Sequence, residues 1–186
     1  MSSPPARILF FTFVFAFTSC SRPQRQFQPS PDPHSLDDAT FLHYLQTLPV
    51  VTVDEGMRAV LLLQGTTGQW PTYEARAGEL LHRKAVRPEW KLQADELIDK
   101  GTLAHMVLAL TNLPRSANNR LASWTRLGDR RYALKTCVHE GLMPYAVDHE
   151  RVTGGELLAL LAAAERNVFA GEIAPSSGPG PSGSSP

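Results

Sequence analysis

A few short stretches carry residue types that do chemistry in other proteins. His139-Glu140-Gly141-Leu142-Met143 opens like the zinc helix of a metalloprotease, with a His to ligate and a Glu to act as base. Met143 stands where the second His is needed one turn on, so two ligands never share a helix face. Asp148-His149-Glu150 sets three ligating types side by side. Adjacent side chains point apart, and metal sites gather ligands from spaced positions. Gly178-x-Gly180-x-x-Gly183 has the spacing of a dinucleotide-binding turn. It follows no strand and opens no helix, and Pro179 and Pro181 remove amides that a phosphate would use. Arg130, Arg131 and Lys135 form a basic run, read as helix-surface charge or as an anion-contacting patch. There is no Gly-x-Ser-x-Gly elbow and no phosphate loop ending in Gly-Lys-Ser/Thr. The sequence thus nominates no catalytic residue, no metal site and no cofactor, and the expected function is non-catalytic.

The thiols divide by position. Cys137 lies among apolar neighbours in "YALKTCVHEGLM" and is expected as a small buried residue. Cys20 ends the stretch "MSSPPARILFFTFVFAFTSC". There Arg7 precedes an apolar run from Ile8 to Phe17, shorter than the ~20 residues that span a bilayer and suited to a secretory signal. Thr18-Ser19-Cys20 after such a run resembles the lipobox of bacterial lipoproteins, although Phe17 stands where Leu is commonest. That resemblance implies cleavage of the signal peptide 1–19 and acylation of Cys20. The protein would then be exported and held at a bacterial membrane, in the cell envelope, by its acyl chains, at ~0.8 kcal/mol per buried CH₂. An ordinary signal peptide with a chance Cys is the alternative. Removing residues 1–19 takes away Arg7 and no acid, leaving 167 residues with 17 basic and 18 acidic side chains. Such a balance argues against a nucleic-acid partner, which calls for a basic excess.

Residues 20–35 include the Pro-, Gln- and Ser-rich "SRPQRQFQPSPDPHS" and read as a flexible tether. Residues 171–186 end in "PSSGPGPSGSSP" and read as a disordered Gly/Pro/Ser tail. Between them, 36–170 is one domain's worth of chain. Within it one line recurs. "VTVDEGMRAVLLL" begins at Val51, "IDKGTLAHMVLAL" at Ile98 and "VTGGELLALLAAA" at Val152. Each opens on Val or Ile and then a helix-capping residue, Thr52, Asp99 or Thr153. Three positions later stand Glu55, Thr102 and Glu156. Thr-x-x-Glu is the capping box, in which the Thr oxygen takes one orphan amide and the Glu returns to the cap amide. Apolar residues follow at helical spacing, Met57, Val60 and Leu61 in the first copy for example.

A second helix is expected before each of the three. "SLDDATFLHYLQTL" has Ser35 or Asp37 as its cap and sets Phe41, Tyr44, Leu45 and Leu48 on one side. "TYEARAGELLHRKAV" offers Tyr73, Ala77, Leu80 and Leu81, and "GDRRYALKTCVHEGLM" offers Leu134, Cys137 and Leu142. Pro49, Pro88 and Pro144 each discourage continuation. The fold expected is mainly α, three helix-loop-helix units that bury one another's faces.

This pattern resembles the S-layer homology family. "HEGLMPYAVDHERVTGGELLALL" is the best copy of its motif, "HRKAVRPEWKLQADELIDKGTLAHMVLAL" a fair one, and "TLPVVTVDEGMRAVLLL" keeps the second half. The resemblance implies three units in a pseudo-threefold bundle of helix pairs, with disordered termini outside it. It also implies docking of the cell envelope through glycan held in grooves between units. The motif's Arg falls here on Val53, Lys100 and Gly154, so only Lys100 keeps a positive charge, as a point charge rather than a planar fork. Lys100 is the possible ligand contact. Trp90, in the loop beside it, is the aromatic on which a sugar face would stack. The partners expected are a membrane through the lipid anchor and an envelope glycan or envelope protein. The alternatives are a protein-binding module whose glycan groove has decayed, a small envelope enzyme, or an unrelated helical bundle with good capping boxes.

Overall fold

The computed structural model describes residues 23–25, 32–65, 70–111 and 128–173, the last seven in backbone only. The described chain is mainly helical. Its six helices are α1 (Asp38–Gln46), α2 (Val53–Leu62), α3 (Tyr73–His82), α4 (Lys100–Leu110), α5 (Asp129–His139) and α6 (Gly154–Ile173). Short 3-10 turns at Pro33–Ser35 and Pro88–Trp90 punctuate the connections. The described strand pairing consists of isolated bridges.

Five of the six α-helices start at a side-chain cap, and α5 starts instead at Gly128, whose positive φ of 66° suits glycine. Asp37, not Ser35, caps α1, its carboxylate accepting from the Thr40 amide at 3.0 Å. Thr52 and Glu55 form a full capping box on α2. Thr153 and Glu156 do the same on α6, with Thr153 N donating to Glu156 at 2.9 Å and Glu156 N to Thr153 at 3.2 Å. Asp99 accepts from the Thr102 amide at 2.6 Å at the start of α4. The Thr102 hydroxyl does not mirror a capping-box Glu; its oxygen accepts from Arg130 at 3.2 Å.

The three cap segments bond to one another in cyclic succession. At the start of α2, the amides of Val53 and Asp54 donate to the carbonyls of Glu96 and Ala94, in the loop before α4. At the start of α4, Lys100 and Gly101 donate to Glu150 and Asp148, in the loop before α6. At the start of α6, Gly154 donates to Leu48, in the segment before α2. Val51 N also donates to Val152 O at 3.0 Å, and Ile98 N to Val51 O at 3.1 Å. The first amides of an α-helix have no partner inside it and must be satisfied elsewhere when buried. Here each capped helix takes its partners from the loop of another unit.

Around this ring lies one apolar core, with Phe41, Leu45, Met57, Ile98, Leu103 and Leu157 all fully buried. Ten of the eleven residues of α4 are buried, so it has no solvent face, and its apolar residues run all round rather than in a stripe. The closest packing runs across the unit boundaries, α4 against α5, α2 against α3, and α1 against α6. Leu81, expected on the inner side of α3, is 40% exposed because Leu80 takes the core position. The helix α6 extends to Ile173, three residues into the stretch read as tail. Part of the expected tether is docked. Gln24 pairs antiparallel with Glu96, and Leu97 N donates to Pro23 O at 3.1 Å.

Candidate functional site

The cap corners hold most of the buried charge among the described residues. Asp54, Glu55, Arg76 and Lys100 are all buried, and all have partners of opposite sign. Isolated buried charges are prohibitively costly, so such residues must be paired and hydrogen-bonded. At the first corner Glu55 accepts from the Thr52 amide, from Tyr44 Oη at 2.8 Å and from Arg25 Nη2 at 2.5 Å. Burial first, and then its bond to Glu55, push the Tyr44 phenol far above its ordinary value. At the second corner Arg130 donates to Asp99 at 3.2 Å. At the third, Lys100 Nζ lies 2.8 Å from both Glu150 and Glu156. At each of these three corners the acid therefore meets a cation brought from another segment.

That geometry settles what the sequence-nominated residues touch. Lys100 is 3% exposed and spends its ammonium on two carboxylates of this chain. Trp90 is half-buried, edge-on to His105 with ring centroids 5.0 Å apart, and carries the Arg130 guanidinium 5.3 Å from its ring centroid. Lys100, being buried, does not present its ammonium to an open groove. Val53 and Gly154, the other two counterparts of the motif Arg, are buried too. A Cβ at Gly154 would overlap the carbonyl oxygen of Leu45, which explains why no long side chain stands there. Cys20 and the Gly/Pro/Ser repeat of the tail lie outside the described residues.

Burial pulls Lys100 down, but its hydrogen bonds to Glu150 and Glu156 outweigh this and hold the ammonium above the ordinary lysine value. The same bond holds Glu150 below the usual carboxylate range. Burial raises Glu156, and the bonds from Lys100 and Thr153 more than offset it, so it too ends low. Carboxylates with lowered folded values contribute stability above their unfolded value and lose it as the pH falls through the folded one. Wild-type stability is therefore expected to decline as the pH drops below the ordinary glutamate value of about 4.3. In Lys100→Met that acid slope should flatten. Urea midpoints measured across this range check it; parallel profiles for the two proteins would show that the trio does not couple.

Other nominated chemistry resolves simply. Among the described residues no three His, Cys, Asp or Glu side chains are grouped to hold a metal ion. Asp148 pairs with His149 at 3.5 Å, while Glu150 turns to Lys100. Cys137 is fully buried, and burial pushes its thiol to about 12, which makes it inert as a nucleophile. No helix among the described residues is long and apolar enough to cross a membrane.

Three clefts stand out among the described residues. One of about 320 Å³ is lined by His34, Asp38, Arg58, Trp70 and Arg76. Its arginines are spent internally. Arg58 donates to the carbonyls of Pro33 and Leu36, and Arg76 forks onto Asp54. A groove of about 740 Å³ is walled by Leu62, Leu110, Leu158 and Leu161. A third, of about 370 Å³, lies between α5 and the loop 145–148, with Arg131, Lys135 and Tyr145 on its walls. No protein-family model, curated protein sequence or solved structure matches the chain. The reading of function therefore rests on the residues themselves. Sequence reasoning missed the Arg76–Asp54 fork and the Arg25–Glu55 pair. Their partners lie 22 and 30 positions apart, with no local pattern to join them.

Proposed function

We propose that this chain is a non-catalytic bacterial envelope lipoprotein, whose S-layer-homology-like domain docks it to a second envelope component. The observation that carries the reading is the cyclic bonding of the three cap segments. Three repeats of one capped-helix line, each with its first amides taken up by the next unit's loop, are what a pseudo-threefold bundle of such units requires. The anchor in this reading is Cys20, acylated after loss of residues 1–19.

The docked N-terminal residues give this anchor a geometric consequence. Pro23 is held by the Leu97 amide, and Arg25 by Glu55. Three residues of fully extended chain span at most about 11 Å. An acylated Cys20 would therefore hold the Glu55 corner close to the bilayer rather than letting the domain range on a long tether. A contact made there gains from a high effective concentration.

For the docked component, a glycan is the reading the family resemblance brings. A protein partner is the second reading, favoured by a specific observation: Lys100 and Trp90, which would have met the sugar, are engaged within the chain. Cell fractionation tests the anchor, and cosedimentation with isolated envelope polysaccharide tests the glycan. Cys20→Ser is expected to move the protein from the membrane to the soluble fraction. Persistence at the membrane would defeat the lipoprotein reading, and absence of cosedimentation would leave the protein partner.

A further inference from the structure

The cleft between α5 and the loop 145–148 is built differently from the others. Among the described residues three large hydrophobic side chains are exposed, and two of them, Tyr145 at 90% and Val147 at 47%, line this cleft. Its apolar wall continues through Leu134, Val138 and Ala146. Arg131 and Lys135 stand over it one helical turn apart on α5, and both are exposed. No carboxylate among the described residues lies within ion-pair distance of either; Lys135 Nζ sits 5.6 Å from the Tyr132 ring centroid. Their neighbour Arg130 behaves in the opposite way, spent on Asp99, Thr102 and Trp90. The one acid at the cleft, Asp148, has its carboxylate beside His149 and its carbonyl on the Gly101 amide.

Exposed apolar groups gathered in a concave, cation-rimmed patch mark interaction surfaces, and Tyr and Arg are over-represented where such surfaces bind. The loop that carries Tyr145 is fixed before any partner arrives. Gly101 N holds Asp148 O at 2.8 Å, Lys100 N holds Glu150 O at 2.9 Å, and Lys100 Nζ grips the Glu150 carboxylate. A preformed platform avoids ordering costs on binding. The apolar wall has nothing to offer a bare anion, and the two cations have nothing to offer a purely aliphatic ligand.

We propose that this cleft docks an acidic segment of a partner protein. An Asp or Glu carboxylate of the partner meets Arg131 and Lys135, with the Arg fork able to take it bidentately. An apolar side chain beside that acid packs between Tyr145, Val147 and the α5 residues Leu134 and Val138. The proposal rests on the protein-docking reading above and gives it a location and a partner chemistry.

Site-specific photocrosslinking in the cells that make the full chain tests it, using Tyr145→benzoylphenylalanine, with Leu81→benzoylphenylalanine as an outward-facing control. The expected result is a discrete protein adduct from position 145. Mass spectrometry of it should map the crosslink to a segment with Asp or Glu next to an apolar residue. Adding Arg131→Glu and Lys135→Glu should cut its yield about tenfold or more, the loss expected when charge-assisted bonds are removed. Circular dichroism should stay unchanged, since both cations are exposed. No adduct, an adduct to lipid or polysaccharide, a crosslinked segment without an acid, or a yield indifferent to charge reversal would each overturn the proposal. A discrete protein adduct from position 81 with none from position 145 overturns the cleft alone, and the absence of a protein adduct from either position overturns the protein-docking reading with it.

Discussion

Gly154→Ala is expected to destabilise the fold by about 3 kcal/mol or more, at or beyond the top of the usual range for overpacking. The reason is the neighbour that a methyl would meet. Gly154 is the first residue of α6, and its amide donates to Leu48 O at 3.0 Å. A Cβ built there overlaps the Leu45 carbonyl oxygen in the last turn of α1 and crowds the Leu48 carbonyl at 3.3 Å. Side chains relieve crowding by changing rotamer, but a backbone carbonyl inside a helix has no such freedom. Relief would have to lift α6 away from α1, breaking the Gly154–Leu48 bond and with it one link of the ring that joins the cap segments. Gly155, the next residue, offers a matched control. A Cβ there meets nothing within 4 Å, so Gly155→Ala should be neutral or slightly stabilising through helix propensity. Urea midpoints for the two variants measure the contrast; equal midpoints would mean that α1 and α6 do not approach this closely.

Gly154 also shows how far sequence reasoning reached. The cap at Thr153 and Glu156 was legible because capping is local: it needs two residue types three positions apart. The same holds for Thr52 with Glu55 and for Asp99. The helices after these caps followed from their apolar spacing, and Phe41, Tyr44, Leu45 and Leu48 are buried together as that spacing predicts. What was not legible is everything set by partners far along the chain. Nothing near Lys100 announces that Glu150, 50 positions on, will take its charge. A Gly at 154 reads from sequence as a lost ligand contact, whereas the structure shows that a carbonyl on α1 leaves no room there for a side chain. Leu80 and Leu81 are alike in type, and only packing against α2 decides which is inside. The Tyr145 cleft had one signal in the sequence, the unabsorbed pair Arg131 and Lys135, but its apolar wall comes from a loop that no periodicity describes.

Arg76→Met should cost about 3–5 kcal/mol, the range found when one partner of a buried ion pair is removed. Arg76 is 3% exposed, and its guanidinium meets Asp54 through two parallel bonds, Nε to Oδ1 at 2.7 Å and Nη2 to Oδ2 at 2.8 Å. Its remaining donor, Nη1, reaches the carbonyls of Trp70 and Pro71 at 2.9 and 3.2 Å. The side chain thus ties the start of α2 to α3 and to the chain entering α3. Methionine fills the volume but leaves the buried Asp54 carboxylate without its fork, and it strands two carbonyls. Asp54 sits in the first turn of α2, where the helix dipole favours a negative charge by up to ~1 kcal/mol at ordinary sites, too little to replace the guanidinium. His34 Nε2 lies 3.7 Å from Asp54 Oδ2 and is the one cation-forming group left beside it among the described residues. Replacing both partners removes the orphaned charge as well as the bond. Arg76→Met with Asp54→Leu should therefore recover much of the loss, leaving the double variant more stable than Arg76→Met alone. Urea unfolding of the wild type, both single variants and the double variant measures this coupling. A single-variant loss under ~1 kcal/mol would place the pair among solvent-screened ones and contradict the burial on which the corner is built.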